Sequence, residues 1–193
     1  MKTIEITLYK FNELSSEAQE TAINKWRESD TDYFFASDNE ASLKAFTEIF
    51  PIKVNNWSYD AYSHSESSQY NGEADHQTLS GPRLMAFIHN NYGNMLYPAK
   101  TYRLKSGKTR KSRIIKDTEM TMTGYYMDNV LLDPIYDFLK GNVNIDFEDL
   151  LESCVYAWGK ACQADCYYQQ TPEYIKETIE ANDYDFTIEG EIY

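Results

Sequence analysis

Two histidines lie near several carboxylates in one polar segment, and imidazole and carboxylate groups are common ligands of divalent metals. The spacing of these residues matches no established ligand motif. We therefore expect a solvated loop here, with no metal and no other cofactor. A metal-dependent enzyme that uses His64, Asp75 and His76 stays open as an alternative. The residues of this segment are Asp60, His64, Glu66, Glu73, Asp75 and His76.

Three cysteines, Cys154, Cys162 and Cys166, lie close together near the end of the chain. Cys162 and Cys166 are four positions apart, so they share one face of a helix. Zinc would require further ligands and ionised thiols, whereas a free cysteine packs well in a buried helix. We predict that these thiols are free and part of the core, as is typical of a reducing compartment.

Motifs for phosphate-binding loops and nucleophilic catalysis are missing from the sequence. The segment 106–109, SGKT, has only the end of a phosphate-loop pattern and lacks the upstream glycine. No G-x-S-x-G pattern is present either. We therefore assign no catalytic residues and predict that the protein is not an enzyme.

The basic residues are concentrated in one short part of the chain. The net charge is −13, and it divides into −7 for residues 1–99, +6 for residues 100–127 and −12 for residues 128–193. Ser106 and Gly107 predict a turn, so we expect a basic hairpin over residues 100–116. Its bases are Lys100, Arg103, Lys105, Lys108, Arg110, Lys111, Arg113 and Lys116.

Three interpretations of the basic hairpin are open. It can be a solvated surface element that pairs with the acidic remainder of the protein. It can contact the phosphates of guide RNA or DNA, with Tyr102 as a stacking group. The third interpretation is a contact with another protein.

The last third of the chain places carboxylates at regular intervals. Glu173, Glu177 and Glu180 share one face of a predicted helix, roughly 6 Å apart. Asp183 and Asp185 follow on a predicted strand, about 6.7 Å apart. Each strand of duplex DNA carries one charge per ~3.4 Å. This acidic face therefore either mimics nucleic acid in a cationic channel or is an ordinary solvated helix face.

The composition restricts the cellular setting and the partners. A sequence pI of about 4.6 argues against binding of nucleic acid or anionic membranes by the whole surface. The N-terminal segment alternates apolar and polar residues and no apolar run is long enough to span a membrane. We expect a cytoplasmic protein that does not contact membranes, and the sequence leaves homo-oligomerisation open.

The hydrophobic pattern predicts an α+β fold in a single domain, residues 1–193, with several helices packed on a small and mostly antiparallel sheet. The basic hairpin protrudes from it. The apolar alternation in the strand over 52–60 is imperfect and leaves room for a bulge, and residues 61–80 are expected to form a long loop or a ragged hairpin. The first helix is expected to begin at a Ser16 cap. Further helices are expected from Asp38 to Pro51, over 81–92, from Asp128 or Asn129 to Gly141, over 146–170, and over 172–182 after a Thr171 cap. Strands are expected over 2–9, 52–60 and 184–193.

Four short segments, spread along most of the chain, carry a resemblance. They are YKFNELSSEAQ at 9–19, KWRE at 25–28, MTGYYMD at 122–128 and IEANDYDF at 179–186. These segments resemble small proteins encoded by bacteriophages and prophages, some of which are labelled as antitoxins. The resemblance implies an accessory role against host defences, CRISPR inhibition included, and it assigns no catalytic residues.

Two binding functions follow as hypotheses. The first is a non-enzymatic phage inhibitor of a bacterial nucleic-acid-handling complex, an RNA-guided CRISPR nuclease above all, which holds its heteroduplex in a cationic channel. The second is an antitoxin-like partner that neutralises a basic toxin, or a regulator that binds nucleic acid through the basic hairpin. Both would act in the bacterial host cell.

Overall fold

The computed structural model of the protein describes residues 6–28, 35–97, 101–111, 120–141 and 144–193. Within these residues there are eight α-helices and three antiparallel sheets of two strands each, which confirms the α+β class. The helices are α1 Ser16–Glu28, α2 Ala36–Ile49, α3 Ala74–Gln77, α4 Gly81–Asn91, α5 Gly93–Leu96, α6 Met127–Leu139, α7 Phe147–Gln169 and α8 Pro172–Ala181. The strands are β1 Tyr9–Lys10, β2 Ile52–Tyr59, β3 His64–Tyr70, β4 Thr101–Arg103, β5 Thr109–Lys111 and β6 Asp185–Phe186.

Contacts between Cα atoms divide the chain into two compact units. The first unit contains Met1–Ala36, Asp60–Tyr62 and Gln163–Tyr193, and the second contains Ser37–Tyr59 and Ser63–Cys162. The expectation of a single domain stays a prediction. None of the described helices is long and apolar enough to cross a membrane.

In the first unit, β1 pairs with β6, so that Tyr9 faces Phe186 and Lys10 faces Asp185. Helices α1 and α8 each turn one apolar face to a shared core, and alanines at Ala18 and Ala22 on α1 allow close packing. The core side chains are Phe11, Leu14, Ala18, Ala22, Ile175, Ile179 and Phe186.

In the second unit, the hairpin of β2 and β3 accompanies a mainly helical core. The register shifts between Val54 and Asn56, so the strand contains the bulge for which its apolar pattern leaves room. Trp158 on α7 is fully buried, and its indole N–H donates to the carbonyl of Asn39 at 3.0 Å. The buried side chains of α6 and α7 form much of this core, in agreement with their apolar spacing.

Several predicted boundaries are wrong. The expected strand over 2–9 is limited to Tyr9–Lys10 in the described residues, and residues 1–5 lie outside them. The cap of α1 is Ser15 and not Ser16, because the Ser15 hydroxyl accepts from the Ala18 amide at 3.3 Å. Helix α2 begins at Ala36, before the expected cap Asp38. Most of 61–80 is ordered as β3 and α3, which favours the hairpin alternative.

The Asp128 side chain has a role that differs from the predicted helix cap. Helix α6 begins at Met127, and the carboxylate of Asp128 is buried and accepts hydrogen bonds from the preceding loop. It accepts from the backbone amides of residues 122–124 at 2.9, 2.7 and 2.9 Å and from the Thr123 hydroxyl at 2.7 Å. The carboxylate therefore fixes the loop before the helix, and not the helix's own first turn.

Candidate binding surfaces

The acidic face predicted on the C-terminal helix is built by the amphipathic pattern of α8. The Thr171 hydroxyl accepts from the Tyr174 amide at 3.3 Å, which confirms the predicted cap. Ile175 and Ile179 are buried, and the opposite side of the helix exposes carboxylates. These are Glu173, Glu177 and Glu180, all exposed.

The other two predicted carboxylates share one lysine. The Lys10 ammonium lies 3.0 Å from a carboxylate oxygen of Asp183 and 2.9 Å from one of Asp185, and it also donates to the Asp183 carbonyl at 2.8 Å. Hydrogen bonds to Asp185 and then to Asp183 raise the pKa of Lys10 above its ordinary value. Lys10 therefore neutralises part of the charge that the sequence pattern assigned to this end of the acidic face.

The glutamates of α8 differ from one another in whether a lysine lies close enough to form an ion pair. Lys176 lies 4.0 Å from Glu180, one turn further along the helix. Among the described residues, Glu173 and Glu177 form no ion pair. Among the described residues, the α8 glutamates without a cationic partner are therefore Glu173 and Glu177, one helical turn apart.

The basic hairpin is present where the chain is described. Strands β4 and β5 pair antiparallel, with Tyr102 facing Arg110, and Gly107 adopts φ +84° in the turn. The amide of Leu104 donates to the Lys108 carbonyl at 2.8 Å, which closes the turn. Tyr102 is half exposed, as a stacking group requires. The exposed cations here are Arg103, Lys105, Lys108 and Arg110.

Within the described residues these four exposed cations form no ion pair with any acid. The structure of this part therefore gives no support to the interpretation that the hairpin pairs with the acidic remainder. Lys100, Arg113 and Lys116 lie outside the described residues, and of Lys111 only the backbone is described.

Each histidine that suggested a metal lies near one carboxylate of the same segment. His64 Nδ1 lies 3.0 Å from Glu66 Oε2, and His76 Nδ1 lies 3.6 Å from Glu73 Oε2. Gly159 on α7 lies directly against His64 and Glu66. A Cβ at position 159 would come within 2.8 Å of Glu66 Oε2. No group of three or more potential ligands that could hold a metal ion occurs in the described parts of the chain.

The three cysteines lie in the core, as predicted. None of Cys154, Cys162 and Cys166 forms a disulfide, and each is at most 1% exposed. Burial raises the pKa of Cys154 far above its ordinary value and raises the pKa of Cys166 to about 11. The thiolate, which is the reactive form, is therefore disfavoured at both positions.

The sequence pattern does not reveal the carboxylate network of Asp128 or the cation shared by Asp183 and Asp185. The first involves residues only four to six positions before Asp128, but the donors there are mainly backbone amides, which any residue type supplies. The second depends on residues more than 170 positions apart, so no local signal exists. Searches of protein-family models, curated proteins and solved structures returned no match to this chain.

Proposed function

We propose that this protein is a non-enzymatic anti-defence protein of the phage type that binds a bacterial nucleic-acid-handling complex in the host cytoplasm and inhibits it. The target class is an RNA-guided CRISPR nuclease, and inhibition blocks its DNA binding or cleavage. The observation that carries the proposal is the pair of exposed carboxylates at Glu173 and Glu177, without a cationic partner among the described residues.

The chemistry of a nucleic-acid channel suits these two carboxylates. RNA-guided nucleases hold their heteroduplex in a positively charged channel, and arginine and lysine bind carboxylates and phosphates with similar hydrogen bonds. Glu173 and Glu177 lie one helical turn apart, roughly 6 Å. Charges along one DNA strand are ~3.4 Å apart when projected on the helix axis, and successive phosphates are further apart than this because the strand winds around the axis. The pair can therefore take the places of two neighbouring phosphates.

The rigidity of α8 also favours this function. Its inner face is anchored by Ile175 and Ile179 in the core, and its N-terminus is capped by Thr171. The backbone that carries these carboxylates is already ordered, so binding costs only side-chain freedom, whereas a mobile tail would also have to order its backbone. The helix therefore presents its charge in a preorganised form.

The test is inhibition of DNA cleavage by a purified, guide-loaded Cas9-type nuclease. The double variant Glu173→Gln/Glu177→Gln removes the unpaired charges, and Glu17→Gln/Glu20→Gln on α1 is the matched control, with the same change in net charge at exposed positions. We expect stoichiometric inhibition by the native protein and by the control. The α8 variant should require about tenfold more protein, as for the loss of a few interfacial charge contacts.

Two results would count against the proposal. If native protein leaves RNA-guided cleavage unchanged, the inhibitory function is wrong. If the α8 variant inhibits as well as the native protein, inhibition does not depend on the acidic face.

A second candidate function rests on the basic hairpin, whose four described cations are exposed and form no ion pair with described acids. A regulator that binds nucleic acid through this hairpin would show strong salt dependence. Lys105→Gln/Lys108→Gln should lower the salt slope of RNA or DNA binding by about 2. Arg83→Gln/Lys160→Gln, which removes two exposed cations elsewhere, should leave the slope unchanged; equal effects of both variants would reject the hairpin as the binding element.

A further inference from the structure

A groove of about 300 Å³ lies between helix α2 and strand β2 in the second unit. Leu43 and Ile52, both buried, line it from the two walls. This volume is at the lower end of the range for small-molecule sites. The groove thus has room for a ligand of the size of one nucleotide.

Trp57 reaches the groove because of the bulge in β2. Side chains alternate along a strand, so Trp57, five positions after Ile52, would lie on the opposite face in a regular strand. The pairing continues from Val54 opposite Ser68 to Asn56 opposite Ser67, which leaves Asn55 as the extra residue. The extra residue restores Trp57 to the face of Ile52, and both line the groove.

The indole of Trp57 is held as a rigid platform. It stacks on Tyr59 with ring centroids 5.6 Å apart and an interplanar angle of 17°, and it lies nearly perpendicular to Trp158 with ring centroids 5.4 Å apart. Even so, 37% of Trp57 is exposed. An aromatic ring that is fixed and partly exposed provides a stacking surface for a planar ligand.

The polar groups of the groove favour an anionic ligand. Lys44 and Lys53 line it, both are exposed, and neither forms an ion pair within the described residues. Lys53 alternates with Ile52, so its side chain leaves β2 on the other face and its ammonium reaches the groove only around the edge of the strand. Glu40 supplies one carboxylate, so the lining has a net positive charge in a chain of net charge −13. A carboxylate can accept a hydrogen bond from an exocyclic amine of a nucleobase.

We propose that this groove binds a nucleotide, with the base stacked on Trp57 and the phosphate bound by Lys44 and Lys53. A bare phosphate would leave the aromatic platform and the apolar walls unused, and an apolar ligand would leave two lysines without a partner. The nucleotide is either free or part of a single strand. The proposal does not depend on the inhibitory function assigned to α8.

The experiment is calorimetric titration of the full-length protein with adenosine 5′-monophosphate, with adenosine and inorganic phosphate as comparison ligands. We expect a dissociation constant on the order of a millimolar or below for the nucleotide and weaker binding of both fragments. Trp57→Leu should reduce the affinity about tenfold, in keeping with the loss of one stacked base, and Trp57→Phe should retain most of it.

The lysines are tested separately. Lys44→Gln/Lys53→Gln should lower the affinity for the nucleotide to that for adenosine, and Arg83→Gln/Lys160→Gln is the matched control. A short single-stranded oligonucleotide distinguishes a strand site from a free-nucleotide site. If Trp57→Leu lowers the affinity for the oligonucleotide as much as that for the mononucleotide, the groove binds a strand. If the affinity for the oligonucleotide is unchanged, the groove binds a free nucleotide. Absence of saturable nucleotide binding up to about 10 mM, or unchanged nucleotide affinity in folded Trp57→Leu, overturns the proposal.

Discussion

The Asp128 carboxylate accepts hydrogen bonds from the backbone amide and from the hydroxyl of Thr123, each at 2.7 Å. Two more amides, those of Met122 and Gly124, donate to the same carboxylate, and Ser42 Oγ lies 3.1 Å from Thr123 Oγ1. A buried carboxylate with four donors holds the loop before α6 in one conformation. The loop therefore depends on a single charged side chain.

Asp128→Asn should destabilise the protein by about 3 kcal/mol, because the amide turns N–H groups toward backbone donors that then lack an acceptor. Urea denaturation at pH 7 measures the loss. Asp133→Asn, at an exposed position of the same helix, is the control and should change the free energy of unfolding very little. An equal effect of the two variants would contradict the assigned role.

The same carboxylate should make stability depend on pH. Burial acts to raise the pKa of Asp128, but hydrogen bonds from Thr123 and Gly124 outweigh it, so the pKa lies below its ordinary value. The contribution to stability is therefore present above the unfolded pKa of about 4 and is lost as the pH falls through the folded pKa. The difference in unfolding free energy between native protein and Asp128→Asn should shrink on acidification; a constant difference would exclude this linkage.

Gly190 is required at its position by both conformation and space. It adopts φ +84°, and a Cβ there would lie 2.1 Å from the carbonyl oxygen of Ala18. Gly190→Ala should cost about 3 kcal/mol or more, from left-handed strain and a backbone clash together. Gly141→Ala is the control, since Gly141 has φ +86° and, its chain neighbours aside, no atom of the described residues lies within 4 Å of the added Cβ. The melting temperature of Gly141→Ala should fall less than that of Gly190→Ala. Similar melting temperatures of the two variants would show that the close approach of Gly190 to Ala18 is unimportant.

The three cysteine thiols should be unreactive in the folded protein. All are buried, and burial raises the pKa of Cys166 to about 11. At pH 8 a thiol reagent should label folded protein slowly and label all three thiols at once in concentrated urea. Rapid labelling of folded protein would indicate that the core around α7 opens readily.

Lys10 should limit the negative potential of the acidic face. Lys10→Gln removes the cation shared by Asp183 and Asp185, and its direct effect on stability should be small because the pair is exposed. Binding to a cationic partner should become tighter at low salt and more sensitive to added salt. Lys25→Gln, which leaves Glu191 without its ion pair, controls for the change in net charge. Identical salt responses of the two variants would separate Lys10 from the binding surface.

Much of the helical structure could be predicted from the sequence, and the reason is local. Thr171 followed by Pro172 identifies the start of α8, and the apolar spacing of α7 predicts a helix close to its observed bounds. Pro51 marks the end of α2 within two residues. These signals depend on neighbours within one or two turns, which a pattern can register.

Features that depend on distant partners could not be predicted. Strand β1 has two residues because only two residues pair with β6. The two strands lie about 175 positions apart, so the sequence near β1 does not show where the pairing ends. The sequence pattern predicts Ser16 as the cap of α1, whereas the adjacent Ser15 is the cap, because its hydroxyl accepts from the Ala18 amide. Lys10 forms ion pairs with two of the five predicted carboxylates of the acidic face, Asp183 and Asp185. No sequence pattern connects Lys10 to either of them.

The measurement that tests the central claim most directly is competition for the channel. Binding of the native protein to a guide-loaded RNA-guided nuclease is measured with and without bound target DNA, and the same is done for Glu173→Gln/Glu177→Gln. The account predicts that target DNA and native protein exclude each other and that the double variant loses about tenfold in affinity. Simultaneous binding of DNA and protein, with an affinity that the double variant retains, would contradict it.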